Sequence, residues 1–355
     1  MEQRLEEEPE MRRASSFVMA ALLSLTLAAC GAGSNGGSQP AAQPQTPSQT
    51  ETPAAGETKT VKLGLTQFVE HPALDSIRQG ILDGLKESGY EDGKNLAVDY
   101  QNAHADMNNA VTIAQKYAGD HKDIVIAIAT PSAQAAAKAI TDKPVVFSAV
   151  TDPLSAQLVS SLEKPEGNVT GTSDKVSMEQ QLELIKTFLP ELKKLGVIYT
   201  TSEVNAEVQV QDLEEATKKA GVELVKAGTS QMSEIQIAAQ GLVGKVDAIF
   251  IPIDNSVVSS FEAVLGAAEA NKVPVFASDT DTVKRGAVAT YGIDYYKMGV
   301  QTGEMAARVL KGQAVAETPV EISKTADLYI NESAVEKFGL TVTDALKQQA
   351  KELIK

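Results

Sequence analysis

Tryptophan is absent from this 355-residue sequence, cysteine occurs once and histidine three times. A lone thiol closes no internal disulfide, so Cys30 needs another reason to be there. The histidines, His71, His104 and His121, fall in no serine, cysteine or metal-ligand spacing. Neither a G-x-x-x-x-G-K-[ST] phosphate loop nor a G-x-S-x-G nucleophile elbow is present. These absences remove the common signatures of an enzyme and of a bound cofactor or metal. Only paired carboxylates at strand ends are left as a route to acid–base chemistry. Positive charge is also scarce, with 32 basic against 47 acidic residues and a net charge of −15. A surface of that sign repels phosphate backbones and anionic lipid, so nucleic acid is not an expected partner.

What is present begins with an export signal. Arg12 and Arg13 precede a short apolar core, Phe17 to Leu27, too short for the roughly 20 residues of a membrane-spanning helix. The acidic stretch Met1–Glu10 is atypical of a signal and points to translation from Met11. Leu27-Ala28-Ala29-Cys30 resembles the lipobox of bacterial lipoproteins, in which the cysteine thiol is acylated and becomes the new N-terminus. Residues 1–29 are therefore expected to be removed, with the mature chain held by lipid on the outer face of the cell membrane or in a periplasm. Those 29 residues carry three basic and five acidic groups, which leaves −13 for the remainder. Residues 30–60 read as the lipidated cysteine and a disordered tether of Gly, Ser, Pro, Gln, Ala and Thr. Gly31, Gly33 and Gly36 spell G-x-G-x-x-G, but without a preceding strand and a following helix the dinucleotide reading fails.

From Val61 onward, strand and helix signals alternate. Lys62–Leu65, Leu96–Tyr100, Ile124–Ala129 and Val145–Ala149 read as strands, with Ile124–Ala129 apolar throughout as in a strand covered on both faces. Leu74, Ile77, Ile81 and Leu85 recur at helical spacing before Gly89, and Ser132–Ile140 forms the next helix. The pattern then restarts with strands Leu195–Tyr199, Val222–Val225, Ala248–Ile253 and Val275–Ala277, and helices Ala206–Ala220 and Val257–Asn271. Gly64 and Gly196, Gly89 and Gly221, and Pro144 and Pro274 are separated by 132, 132 and 130 residues. The order predicts an α/β protein of two similar Rossmann-like lobes, each a parallel sheet wrapped by helices. Ligands of such sheets sit beyond the carboxyl ends of the strands. Two facing lobes would bring those ends together around one cleft.

The loops at those ends supply the candidate site. Gln67, Phe68 and Glu70 follow the first strand; Thr130, Ser132 and Ala133 follow the third; Thr151 and Asp152 follow the fourth. The second half offers Asp254, Asn255, Asp279, Tyr291 and Asp294. A hydroxyl residue opening a helix can cap it, and the same helix start favours an anion. Ser132 is thus either a cap or a contact for a ligand carboxylate, or both. Asp152, Asp254, Asp279 and Asp294 are candidates to face an ammonium; Asp152 and Asp254 could instead simply cap the next helices. Phe68, Tyr291 and Tyr295 sit beside these loops and could sandwich a flat ligand, whereas Tyr199 reads as core. An anion site and a cation partner together suit a zwitterion.

With these segments in place, the chain resembles the ABC-transporter substrate-binding family typified by TrpX-type tryptophan- and tyrosine-binding lipoproteins. The resemblance runs from about Val61 to Leu340. It rests on Thr66-Gln67, His71-Pro72, Leu74-Asp75, Gly89-Tyr90, Ile128-Ala129-Thr130, Ala133-Gln134-Ala135-Ala136 and Ser173-Asp174, with Ile198-Tyr199, Glu203, Asn205 and Asp254-Asn255 in the second half. Thr151-Asp152-Pro153 and Asn168-Val169-Thr170-Gly171 are its most distinctive parts. Ala206, where the family favours a hydroxyl residue, departs from it. The resemblance implies a type I periplasmic-binding fold with three crossovers between lobes. Residues 61–173 with 295–322 would form one lobe, and 174–294 with 323–355 the other. It further implies capture of a small solute, best an aromatic amino acid, for ABC permease subunits. A ligand-sensing component of a signalling system is the alternative.

Overall fold

The computed structural model describes residues 60–322 and 326–355. The predicted signal, Cys30 and the tether lie outside the described residues. Among those described, no helix is long and apolar enough to cross a membrane.

The first half runs β1 (Val61–Gln67), α1 (Pro72–Glu87), β2 (Leu96–Asn102), α2 (Met107–Gly119), β3 (Ile124–Ile128), α3 (Thr130–Ala139), β4 (Val145–Ser148) and β5 (Val169–Ser173). Its strands are parallel, in the order β5-β4-β3-β1-β2. β3 is buried along its whole length, which is why it carries no polar residue.

The second half runs α4 (Met178–Phe188), β6 (Lys194–Thr200), α5 (Val204–Ala220), β7 (Glu223–Thr229), α6 (Ile235–Leu242), β8 (Ala248–Ile251), α7 (Asn255–Ser259), α8 (Phe261–Glu269) and β9 (Val275–Ala277). These strands form a second parallel sheet, β7-β6-β8-β9. The apolar periodicity of Val257–Asn271 predicts one helix; the chain forms two, because Ser260 leaves the helical region at φ −104° and ψ 18°.

The chain then forms α9 (Thr280–Lys284), β10 (Ala289–Gly292) and α10 (Tyr295–Leu310). α10 packs on α1, and its Thr302 hydroxyl joins those of Ser148 and Thr172, each at 2.8 Å. β11 (Glu321–Ile322) adds to the first sheet beside β5. Finally β12 (Asp327–Asn331), α11 (Glu332–Lys337), α12 (Asp344–Gln349) and β13 (Glu352–Ile354) follow. β12 pairs antiparallel with β10 and parallel with β13, a small sheet with no counterpart in the first half. The chain passes between the two large sheets after β5, before α10 and after β11.

The α1–α10 seam is unusually close. A Cβ on Gly80 would lie 2.2 Å from the Tyr296 carbonyl oxygen, and one on Gly299 2.2 Å from that of Ile77. Gly84 and Gly303 repeat the contact one turn on, against the carbonyls of Val300 and Ile81. Only glycine permits backbones to approach so far.

Candidate functional site

A narrow cavity lies where the strand ends of the two parallel sheets meet. Every lining residue follows the carboxyl end of a strand. His71, Ala73 and Leu74 come after β1, Ala149 and Thr151 after β4, and Asp174 after β5. From the other side come Asn205 after β6; Ile253, Asp254, Asn255 and Val258 after β8; Asp279 after β9; and Tyr295 after β10.

Three carboxylates line the cavity and no lysine or arginine does. Asp174 accepts from the Thr151 hydroxyl at 2.9 Å and, weakly, from the Tyr295 hydroxyl at 3.5 Å. Burial pushes its pKa up to about 6. Asp279 caps α9 through one oxygen, which accepts from the Thr282 amide at 2.7 Å. Its other oxygen, Oδ2, is buried without a partner, and burial raises its pKa. Asp279 also adds to the rise at Asp174, so the two carboxylates face a shared space.

Asp254 is different. It caps α7 through the Val257 amide at 2.9 Å and accepts from both the amide and the hydroxyl of Thr200. Burial and the nearby charge of Glu203 raise its pKa. All its oxygens are already engaged, so it braces the second-lobe wall. Glu203 braces it too, accepting from the amides and side chains of Asn255 and Ser256 and from Asn205. Gln209 ties Asn205 and Ile253 to the same framework. Asn205 turns an unpartnered Oδ1 toward the cavity wall.

His71 lies at the first-lobe lip, an extended residue (φ −160°, ψ 159°) just before α1. Neither ring nitrogen makes a well-formed hydrogen bond, although the Asn255 side chain lies near enough to oppose the fall in its pKa. Burial, with Arg285 adding to it, pushes its pKa down to about 3, so the ring is neutral at pH 7.

Of the sequence-predicted residues, Thr151, Asp254, Asn255 and Asp279 line the cavity. The others do not. Gln67 spends its amide on Val69, Asp75 and Arg78 within the first lobe. Phe68 is a core residue outside the cavity lining, and Glu70 is exposed. Asp152 turns outward to cap Ser155 and pair with Lys175 at 2.8 Å. Tyr291 lies in β10, its backbone bound by Gln181, and Asp294 caps α10 while pairing with Lys297 at 3.0 Å. Thr130, Ser132 and Ala133 are buried in the first turn of α3 but outside the cavity lining. Ser132 is not the cap: that position is Ala129, at φ 76° and ψ 154°. The hydroxyls of Thr130 and Ser132 are nonetheless buried without partners.

Tyr295, expected beside a flat ligand, lines the cavity, whereas sequence reasoning missed His71, Asp174, Asn205 and the apolar wall of Leu74, Ile253 and Val258. His71 and Asn205 stand in strand-end segments, so position was a signal there and side-chain direction was not; Asp174 follows β5, a strand without a plain apolar signal in the sequence.

Two α/β lobes with a polar cavity between their strand ends define a bilobal solute receptor of the type I periplasmic-binding architecture. The chain belongs to the ABC transporter substrate-binding protein family, whose model matches residues 62–354. It is 46% identical to a tyrosine-binding protein of Clostridioides difficile over 79% of this chain and 82% of the relative. It is similar to the L-Trp complex of an ABC domain from Streptococcus pneumoniae, at 38% identity and TM-score 0.81, covering 83% of this chain and 100% of that one. It is also similar to the ligand-free, open structure of an adhesive substrate-binding protein from Clostridium difficile, at 44% identity and TM-score 0.63, again over 83% and 100%. The higher score against the bound form, despite lower identity, places this conformation nearer the ligand-bound arrangement than the open one.

Proposed function

We propose that the protein captures an aromatic amino acid outside the cytoplasm and delivers it to ABC permease subunits, tethered to the membrane by acylated Cys30. The lobes of the clamshell are residues 61–173 with 295–322, and 174–294 with 323–355. The observation that carries this reading is the pair Asp174 and Asp279, two buried carboxylates on one cavity with no cation to match them. An ammonium between them would relieve their mutual repulsion and give charge-assisted hydrogen bonds. The ligand carboxylate belongs at the start of α3, where the Thr130 and Ser132 hydroxyls are unpaired and the helix is uncapped. Ile128 is paired with Ser148, so this helix start lies beside Ala149 and Thr151 of the cavity. Leu74, Ile253, Val258 and Tyr295 supply apolar walls for a ring. The names of the tyrosine-binding and L-Trp-bound relatives agree with that class.

Because Ala149 and Thr151 come from one lobe and Asp279 and Val258 from the other, with Asp174 at the crossover between them, a ligand touching both sides favours closure. Calorimetry against L-tyrosine, L-tryptophan and L-phenylalanine tests the reading. Asp279→Asn is expected to weaken amino-acid binding at least ~10-fold with little change in melting temperature, since an asparagine retains the α9 cap. Unchanged affinity would remove Asp279 from the site, and no binding of any of the three would end the aromatic amino-acid assignment.

A further inference from the structure

Asn205 stands in the first turn of α5 and is 2% exposed, yet one of its polar atoms is unused. Its side-chain nitrogen has two hydrogens and two acceptors: it donates to Glu203 Oε2 at 3.1 Å and to the Ile253 carbonyl at 2.9 Å. Its oxygen, Oδ1, is buried without a partner, and the residue lines the cavity. A buried acceptor left unpaired costs free energy that a suitable ligand atom recovers.

The amide cannot sit the other way round. Reversal would set Oδ1 against a carboxylate oxygen and a carbonyl oxygen, neither of which carries a hydrogen. Glu203 is kept an acceptor by its own surroundings, since the backbone amides of Asn255 and Ser256 and the Ser256 hydroxyl all donate to it. The Ile253 carbonyl accepts from Gln209 as well, at 3.0 Å. All these contacts join residues that follow β6 and β8, so the direction of Oδ1 is set before a ligand arrives.

We infer that Asn205 is a specificity-determining residue whose Oδ1 accepts a hydrogen bond from an N–H or O–H group of the ligand. This rests on the aromatic amino-acid reading above. Such a ligand has two sources of that donor, the α-ammonium and the phenol or indole of the ring. Its carboxylate is excluded, because two acceptor oxygens in contact share no hydrogen. Together with Asp279 Oδ2, also unpartnered, Asn205 makes this wall of the cavity one that asks for donors.

Calorimetry on the full chain with L-tyrosine, L-tryptophan and L-phenylalanine tests this. Asn205→Ala removes the acceptor. Asn205→Ser keeps a donor for Glu203 while its shorter oxygen falls back from the cavity, and it covers the case in which the alanine variant fails to fold. Gln209→Leu loosens the same framework and leaves Oδ1 in place. If the ring supplies the donor, both Asn205 variants should lose at least ~10-fold in affinity for tyrosine and tryptophan and less than ~3-fold for phenylalanine. If the ammonium supplies it, all three ligands should lose at least ~10-fold, with Gln209→Leu losing less than ~3-fold. Affinities within ~3-fold of native for all three ligands in the Asn205 variants would overturn the inference and leave the amino-acid reading intact. So would a loss in Gln209→Leu as large as in the Asn205 variants, because Asn205 would then act only through the wall it helps to brace. A native protein that binds none of the three would end both.

Discussion

Neighbouring residues in the strand-end segments take opposite roles. His71 lines the cavity while Glu70 is exposed; Thr151 faces Asp174 while Asp152 reaches out to Lys175. Successive side chains of an extended segment point to opposite sides, so a correct segment still leaves the facing residue undecided. Asp174 shows what such a position does to chemistry. Its folded pKa of about 6 lies above the ordinary 3.8, so the folded state holds its proton more tightly than the unfolded one. The protonated carboxyl favours the fold at low pH, and this stabilisation is lost as pH rises from about 4 through 6. Two pKa units correspond to about 3 kcal/mol. In the ligand-free protein, Asp174→Asn should gain stability relative to the native chain as pH is raised from 4 to 8, by denaturant melts at each pH. If Asp174 meets the ammonium, native affinity should fall as pH drops through 6, and the variant should show no such fall. Backbone strain belongs to the same scale. Ala129 and Ala149 both hold positive φ at the ends of β3 and β4, beside the proposed carboxylate site. Such conformations cost about 1–3 kcal/mol and concentrate where a ligand is held.

Helices α1 and α10 each begin at the cavity, with His71 and Tyr295, and cross through the glycine seam. Close packing there fixes two elements of the cavity rim to each other and to β4 and β5 through Thr302. Gly80→Ala would force a methyl group against a backbone carbonyl that no rotamer change can move. Overpacking of this kind costs about 1–3 kcal/mol and more where backbone must shift. The expected result is a loss of at least ~2 kcal/mol by denaturant unfolding, with weaker ligand binding because the rim moves. Gly89→Ala is a useful contrast: nothing lies near its missing Cβ, and only its positive φ of 98° resists the change. The α1 periodicity and the stop at Gly89 were plain in the sequence. The seam was not, because glycines four apart in one helix acquire meaning only when a second helix with the same spacing lies against them.

Over the whole molecule, the two parallel sheets contribute lining residues in nearly equal number to one cavity, and the family match spans both. Binding then couples to the angle between lobes, since a ligand that contacts only one cannot distinguish open from closed. Addition of the cognate amino acid is expected to reduce the radius of gyration in small-angle X-ray scattering. At 100 times Kd it should add about 2.7 kcal/mol of stability, seen as a raised melting temperature. A scattering profile unmoved by saturating ligand would argue against hinge closure as the binding step.

The alternation of apolar strands and helices, the repeat of that pattern and the location of the loops were legible in the sequence alone, because burial on both faces of a parallel sheet dictates composition locally. Asp254 and Asp279 were legible for the same reason: each caps a helix that starts at a strand end. The tertiary structure alone decided that Asp254 is a brace whereas Asp279 keeps a free oxygen, that His71 lines the cavity, and that Phe68 and Tyr291 lie outside its lining. Those outcomes depend on which atoms the fold brings together, as with Thr200 and Asp254, and hydrogen-bond partners distant in sequence leave no local periodicity to read.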